Sequence, residues 1–277
     1  MIARALGVPA IRFNAALGGM VVLLLIALAL VGPLFAPYDP VKLDLPAKLS
    51  GPTAAHLLGA DEFGRDVLSR LIYGARTSVW IALSTVAVAL IGGTILGTLA
   101  GFLRGWTDRI LMMVNDALLA FPGLLLALGV MAVIGASRNG IVIALGLAYM
   151  PAVVRVVRSA VISVREREYV EASRVMGNSE LVTMARHVLP NCIAPITVLG
   201  TTMFGWVILS ESALSFLGLG VPPPAPSWGS MLSAARPYIS QAPHLIILPG
   251  LCISITLLGV NMLGDAVRDW LDPKMQA

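Results

Sequence analysis

Few residues in this chain are of a type that performs chemistry, and their spacing limits what they can do. His56, His187 and His244 stand far apart, and neither HExxH nor GxSxG occurs, the spacings that seat a zinc ion or expose a nucleophilic serine. A hydrolase would need those histidines to converge in space. Cys192 and Cys252 sit in or beside apolar runs with no ligand neighbour, which points to two inert thiols rather than a disulfide framework or a zinc site. A phosphate-cradling loop needs Gly-Lys followed by Ser or Thr. The lysines here, Lys42, Lys48 and Lys274, follow Val41, Ala47 and Pro273. The chain is therefore expected to bind no cofactor, hold no metal and catalyse no reaction of its own.

Two acids remain, Asp116 and Glu211, and both interrupt apolar runs. A charge at such a place is costly and marks a cavity or a pathway. They are the candidate pathway residues. The alternative reading puts Asp116 at a hydrated helix end and leaves Glu211 neutral or hydrogen-bonded to a neighbouring helix.

The elements that carry these residues follow from composition. Of 277 residues 57% are hydrophobic and 12% charged, against roughly a quarter charged in soluble domains. With a mean hydropathy of +0.87, the solvent for much of the chain is lipid. A sequence pI near 9.4 would suggest nucleic acid in a soluble protein. In this chain it reads as arginines fixing membrane orientation, with no nucleic-acid partner. Spans of about twenty apolar residues fall at roughly 14–35, 78–103, 110–134, 140–160, 193–217 and 244–264. The fold expected is an all-α membrane protein with six transmembrane helices. Arg4 and Arg12 precede the first span, which reads as an uncleaved anchor rather than a signal peptide. With both termini cytoplasmic, twelve Lys and Arg residues lie inside, Arg4, Arg12 and Lys274 among them, and seven outside.

Gly93, Gly97 and Gly101 recur on one face of the second span, where small residues let backbones approach. Pro122 should kink the third, since it lacks an N–H and collides with the preceding turn. Before the second span, Val67, Leu68, Leu71, Ile72 and Ala75 share one helical face, and Asp66 and Arg70 are spaced to pair. This reads as an amphipathic helix in the outer interface, or as a helical lead-in to the span. The chain divides at this level into 1–77, an anchor span with an external amphipathic segment, and 78–277, a transmembrane core.

Between the fourth and fifth spans the chain turns polar over 162–190. Tyr169, Ala172, Ser173 and Met176 share one helical face with a small middle, so another surface can come close. Gly177 stands where a left-handed helix end favours glycine. Asn178 and Ser179 can cap a second helix, which should stop before Pro190. Helix, sharp turn and short helix would make a rigid cytoplasmic knob rooted in a span at each end. A solvated loop that merely obeys the charge rule is the other reading of the spacing.

Glu171-Ala172-Ser173, then Gly177, then Leu189-Pro190, resembles the EAA loop of permease subunits of binding-protein-dependent ABC importers. Ser173 replaces the second alanine of that pattern and His187 its isoleucine. LGADEFGRDVLSRLIYGARTS (58–78), SFLGLG (215–220), Trp228-Gly229 and LGDAVRDWLDP (263–273) are similar to the dipeptide, oligopeptide and nickel branch. The resemblance implies one permease of a pair, in the bacterial inner membrane. It also implies a homologous second permease, two ABC ATPase subunits holding ATP and magnesium, and an extracytoplasmic solute-binding protein. A coupling helix would dock on an ATPase through Tyr169, Glu171, Ala172, Ser173, Arg174, Met176 and Gly177. Short peptides are the cargo this branch first suggests, with nickel, glutathione-like or opine-like solutes behind. A secondary transporter would need coupling groups at mid-membrane, for which Asp116 and Glu211 could serve. A scaffold without a pathway would need neither.

Overall fold

In the computed structural model, residues 2–271 are described, with side chains from Phe13 onward. The side chains of Arg4 and Arg12, and the residues Pro273 and Lys274, lie outside that range. Helix follows helix: α1 (Ile2–Leu30), α2 (Val67–Leu103), α3 (Gly105–Leu119), α4 (Gly123–Ile134), α5 (Arg138–Arg165), α6 (Glu168–Val175), α7 (Glu180–Thr183), α8 (Ile193–Phe216), α9 (Trp228–Ala235) and α10 (His244–Leu271). Five helical stretches are long and apolar enough to cross a membrane: α1, α2, α5, the path from Glu180 to Phe216, and α10. The pair α3–α4 supplies a sixth if counted as one broken span.

Pro122 does more than kink that span. It ends it, and α3 and α4 meet at 94° across a three-residue break. Proline offers no N–H to the preceding turn and blocks its continuation, so α4 starts afresh at Gly123.

The centre of the fold is α2 against α5, running parallel. Gly93, Gly97 and Gly101 bring the two backbones together. A Cβ at Gly93 would lie 2.5 Å from Val153, one at Gly97 2.7 Å from the Val154 carbonyl, and one at Gly101 2.9 Å from the Arg158 carbonyl. The valines Val153, Val157 and Val161, all fully buried, fill the steps between. The row thus meets a matching four-residue row on its neighbour. α1 and α10 pack antiparallel, with Gly18 against Gly259 and Leu263.

Helix α2 begins at Val67 and runs unbroken through positions 77 and 78. The stretch read as an interfacial helix is therefore the opening of α2, the lead-in of the alternative reading. Its apolar face does not lie on lipid. Val67, Leu71 and Ala75 are buried in the core, and Trp228 of α9 covers Gly74. The Asp66–Arg70 pair does not form. Asp66 is the N-cap of α2 and accepts the backbone N–H and hydroxyl of Ser69 at 2.8 and 2.7 Å. Its other oxygen meets His56 Nδ1 at 3.0 Å. Arg70 turns instead to Asp61, at 3.2 Å, and donates to the Pro40 carbonyl. Orphan amides at the first turn claim a carboxylate more firmly than a side chain one turn away.

Candidate functional site

The knob lies at the end of α5 that faces away from the Asp66 cap. It begins where α5 runs out at Arg165. Arg104, at the α2–α3 junction, reaches Glu166 at 2.7 Å. Arg165 donates to the Phe102 carbonyl. The guanidinium groups of Arg165 and Arg174 both lie 5.5 Å from the centre of the Phe102 ring. These contacts root the segment on α2 as well as α5.

Helix α6 carries Glu168 and Glu171 in its first turn and Arg174 in its last, the arrangement that the helix dipole favours. It ends as the sequence reading expects. Gly177 has φ of +84°, its N–H donates to the Arg174 carbonyl at 2.9 Å, and the Asn178 N–H reaches back to the Ser173 carbonyl at 3.2 Å. The paired bonds form a Schellman closure, which needs a left-handed residue at that position. Ser179 then caps α7, accepting from Val182 N–H at 3.3 Å. Arg174 and Glu180 face each other across the turn at 3.3 Å.

The second helix does not stop before Pro190. After α7 the backbone loosens into a π-helical segment, Met184–Val188, then tightens to a 3₁₀ segment, Leu189–Cys192, and enters α8. The change of winding accommodates the missing N–H of Pro190, so the path from Glu180 to Phe216 stays helical.

Inside the knob, Val170 and Val188 are fully buried. Ser173 is buried too, its hydroxyl 3.1 Å from that of Thr183 and accepting from Asn178 Nδ2 at 3.1 Å. Of the face expected to meet a partner, Tyr169, Ala172 and Met176 point outward, and Ser173 points in. Glu171 and Gly177 are exposed, Arg174 half-buried. The outer surface also holds Val175 and Leu181, 82% and 72% exposed, which the helical-face argument leaves out. The signal for them was two apolar residues in a stretch otherwise rich in charge. Beside them an open cleft of about 590 Å³ is bounded by Arg104, Arg165, Glu166, Glu171, Arg174 and Val175. Apolar side chains ringed by ionic groups make a surface suited to another protein.

The pathway candidates are not brought together. Asp116, on α3, is exposed and paired with Arg155 of α5 at 2.8 Å. Three residues on from Arg155 along α5, just under one turn, Arg158 binds Asp108 through two hydrogen bonds of 2.5 and 2.7 Å. Glu211, on α8, is buried against α9. Cys192 and Cys252 are both free thiols. Among the described residues no three His, Cys, Asp or Glu side chains group as a metal site would require.

Helices long and apolar enough to cross a bilayer, tied at one end by a capped loop and drawn out at the other into a closed knob, define a multi-pass membrane protein. The chain belongs to the family described as the binding-protein-dependent transport system inner membrane component, whose model matches residues 93–277. A second model, the N-terminal TM domain of oligopeptide transport permease C, matches residues 14–52. It is a membrane-spanning permease subunit of an ABC importer, seated in the bacterial inner membrane. The chain is 47% identical over 268 residues to the di/tripeptide transport system permease protein DppC of Pseudomonas aeruginosa, covering 94% of this chain and 88% of that one. It is 42% identical to the glutathione transport system permease protein GsiD of Pectobacterium atrosepticum, over 94% of this chain and 86% of that one. The fold is similar to that in an inward-facing structure of the MetNI methionine ABC transporter, with a TM-score of 0.61 at 15% identity, covering 73% of this chain and 96% of the other.

Proposed function

We propose that this chain is one of two homologous permeases of an importer for short peptides, assembled with two ABC ATPases and an extracytoplasmic solute-binding protein. The knob is the observation that carries the reading. It is closed on itself by hydrogen bonds, rooted in both α5 and α8, and presents Tyr169, Val175, Met176 and Leu181 to a partner. A flexible connection would need none of that. The names of the relatives, for di/tripeptide and glutathione transport, support a peptide as cargo.

ATP and magnesium belong to the ATPases, and hydrolysis takes place there. Their closure moves the knob, gripped at Tyr169, Glu171, Ala172, Arg174 and Met176, and swings the attached spans as rigid bodies. Ser173 and Gly177 serve that grip from within, one by its bond to Thr183 and the other by its left-handed turn. The pathway lies between this chain and its sister, with Asp116 an exposed charged group on α3. Cargo arrives at the end formed partly by 36–76 and 218–243, taken as the outer side, with both termini and the knob on the cytoplasmic side in this reading.

The test is purification of the tagged chain in mild detergent from its native membrane, followed by mass spectrometry. A homologous permease and two ATPases should come with it, and the ATPases should be lost when Glu171–Gly177 is scrambled without loss of insertion. A chain that emerges alone, and carries solute when reconstituted alone, would overturn the reading.

A further inference from the structure

The two sides of α8 meet different surroundings. Gly200 and Phe204 look toward α1, with Val22, Leu25 and Ile26 across an apolar gap. Thr202 and Trp206 stand on the opposite side of the helix, where both are exposed, Trp206 by 58%. Polar groups from two neighbouring helices flank them. From α5, the Tyr149 hydroxyl lies 2.7 Å from Ser210 Oγ and donates to the Trp206 carbonyl at 3.3 Å. From α10, Asn261 comes up against Gly205, where an added Cβ would stand 4.0 Å from its Oδ1. Asn261 is exposed, and so is Ser254, which shares its face of α10.

A hydroxyl pair is ordinary between membrane helices, and Tyr149 with Ser210 implies nothing more by itself. Asn261 is different. Among the described residues its amide has no hydrogen-bond partner. It stands one turn, about 6 Å, deeper into the span than Asp265, the first acid at the knob-side end of α10. An amide left unmatched at that depth is costly if hydrocarbon surrounds it. The side of α8 that Asn261 borders therefore faces water. The hydroxyls beside it complement the amide. Thr202 and Ser254 donate to the Val198 and Gly250 carbonyls of their own helices, at 3.1 and 2.8 Å, which leaves their oxygens as acceptors. Asn261 offers donors and an acceptor, and none of these groups is charged. Ser210 and Thr202 lie about 12 Å apart along α8. Three extended residues of a peptide span about 10–11 Å.

We propose that this face of α8, between α5 and α10, is the cargo wall of the pathway in this chain, where Asn261, Thr202 and Ser254 hydrogen-bond the main-chain amides of a short peptide. The inference rests on the importer reading above and names where that cargo runs. A peptide backbone presents N–H and C=O groups whatever its side chains are. Uncharged donors and acceptors hold it without selecting a side chain. The exposed Trp206 ring gives apolar side chains a surface to pass over. Tyr149 and Ser210 close the wall on its α5 edge.

The experiment uses the assembled transporter with its ATPases and binding protein, in lipid nanodiscs for labelling and in vesicles for uptake, with tri-alanine as the probe. In a Cys192→Ser, Cys252→Ala background, Asn261→Cys and Thr202→Cys are compared with Leu83→Cys, exposed on the side of the apolar gap. A charged, membrane-impermeant methanethiosulfonate is the label. Asn261→Cys and Thr202→Cys should react about tenfold faster than Leu83→Cys or more, since a thiolate forms only where water reaches it. Excess tri-alanine should slow both. In vesicles, Asn261→Leu should lower the tri-alanine carried per ATP about three- to tenfold, the factor that one lost hydrogen bond carries. Asn261→Gln, which keeps the amide, should retain most of it. Labelling of both positions no faster than at Leu83→Cys means that the face lies on lipid and overturns the proposal. Labelling that tri-alanine does not slow overturns it too, as does parent-like transport by Asn261→Leu. Failure of the parent to take up tri-alanine with ATP overturns the peptide-importer reading and the proposal with it. Parent uptake joined to any of the other failures overturns the proposal alone.

Discussion

Ser173 and Thr183 meet hydroxyl to hydroxyl at 3.1 Å and so join α6 to α7. Both are fully buried. The contact turns a side chain expected on the docking face into part of the knob's interior, and it explains why serine serves where alanine stands in the family pattern. Ser173→Ala leaves the Thr183 hydroxyl and the Asn178 amide without this partner, at a cost of about 1 kcal/mol or somewhat more. Faster hydrogen exchange over 168–188, with ATPase recovery in pull-downs unchanged, is the expected result. A loss of docking without any change in exchange would place Ser173 on the outer face after all.

Gly177→Val should separate ATP hydrolysis from transport. At φ of +84° a β-branched residue costs about 1–3 kcal/mol, and the Schellman closure is the cheapest thing to give up. No neighbour crowds the position, since nothing lies within 4 Å of an added Cβ, so the effect is one of backbone shape alone. Gly177→Asn, which tolerates the left-handed region, should keep most of the coupling. Transport per ATP in reconstituted vesicles decides it: parent-like values for an inserted Gly177→Val protein would contradict the account.

The glycine row should be intolerant in proportion to how near the next helix stands. Gly97→Ala puts a methyl 2.7 Å from the Val154 carbonyl and should destabilise the α2–α5 pair by about 1–3 kcal/mol. Gly123→Ala, where nothing lies within 4 Å, is the matched control and should be neutral. Thermal melting in detergent of the two variants side by side supplies the comparison.

In the loop that caps α2, burial pushes the Glu62 carboxyl above the ordinary glutamate range, and Asp61 beside it pushes the same way. A carboxyl whose folded value is raised stabilises the fold fully below its unfolded value, and that contribution is lost as pH rises through the folded one. Glu62→Gln should therefore tighten the 38–66 segment at about pH 7 and change little at about pH 4, near the unperturbed glutamate value. Protease resistance of the segment across that range is the readout. Greater looseness at neutral pH would mean that the Arg65 bond, 2.9 Å long, outweighs the burial.

What could be read from sequence was what short-range physics decides. The spans, the glycine row, a bend (though not a full break) at Pro122 and the left-handed turn at Gly177 each depend on a handful of neighbouring residues. The i, i+4 spacing of Asp66 and Arg70 suggests a pair within one helix, whereas α2 starts at Val67 and leaves Asp66 just outside it as the cap. Pro190 read as a stop because a change from π to 3₁₀ winding leaves no mark in residue type. Glu211 stood out as an oddity, but its partner Ser227 arrives from a separate helix, and nothing in the spacing says that the two will meet. The inward turn of Ser173 was hidden for the same reason, since which side of α6 is inside depends on Thr183.

The parallel course of α2 and α5 carries a consequence for how the protein is made. Gly93, Gly97 and Gly101 leave the ribosome well before Val153, Val157 and Val161, with all of α3 and α4 in between. At synthesis rates of about 5–20 residues per second, the row stays bare for on the order of several seconds. During that time α2 has its most closely fitting face open to lipid or to whatever helix arrives first. The nascent chain is thus most exposed to mispairing after its second span is in place and before its α5 span emerges. An insertion factor that shields small-residue faces would matter most in that interval.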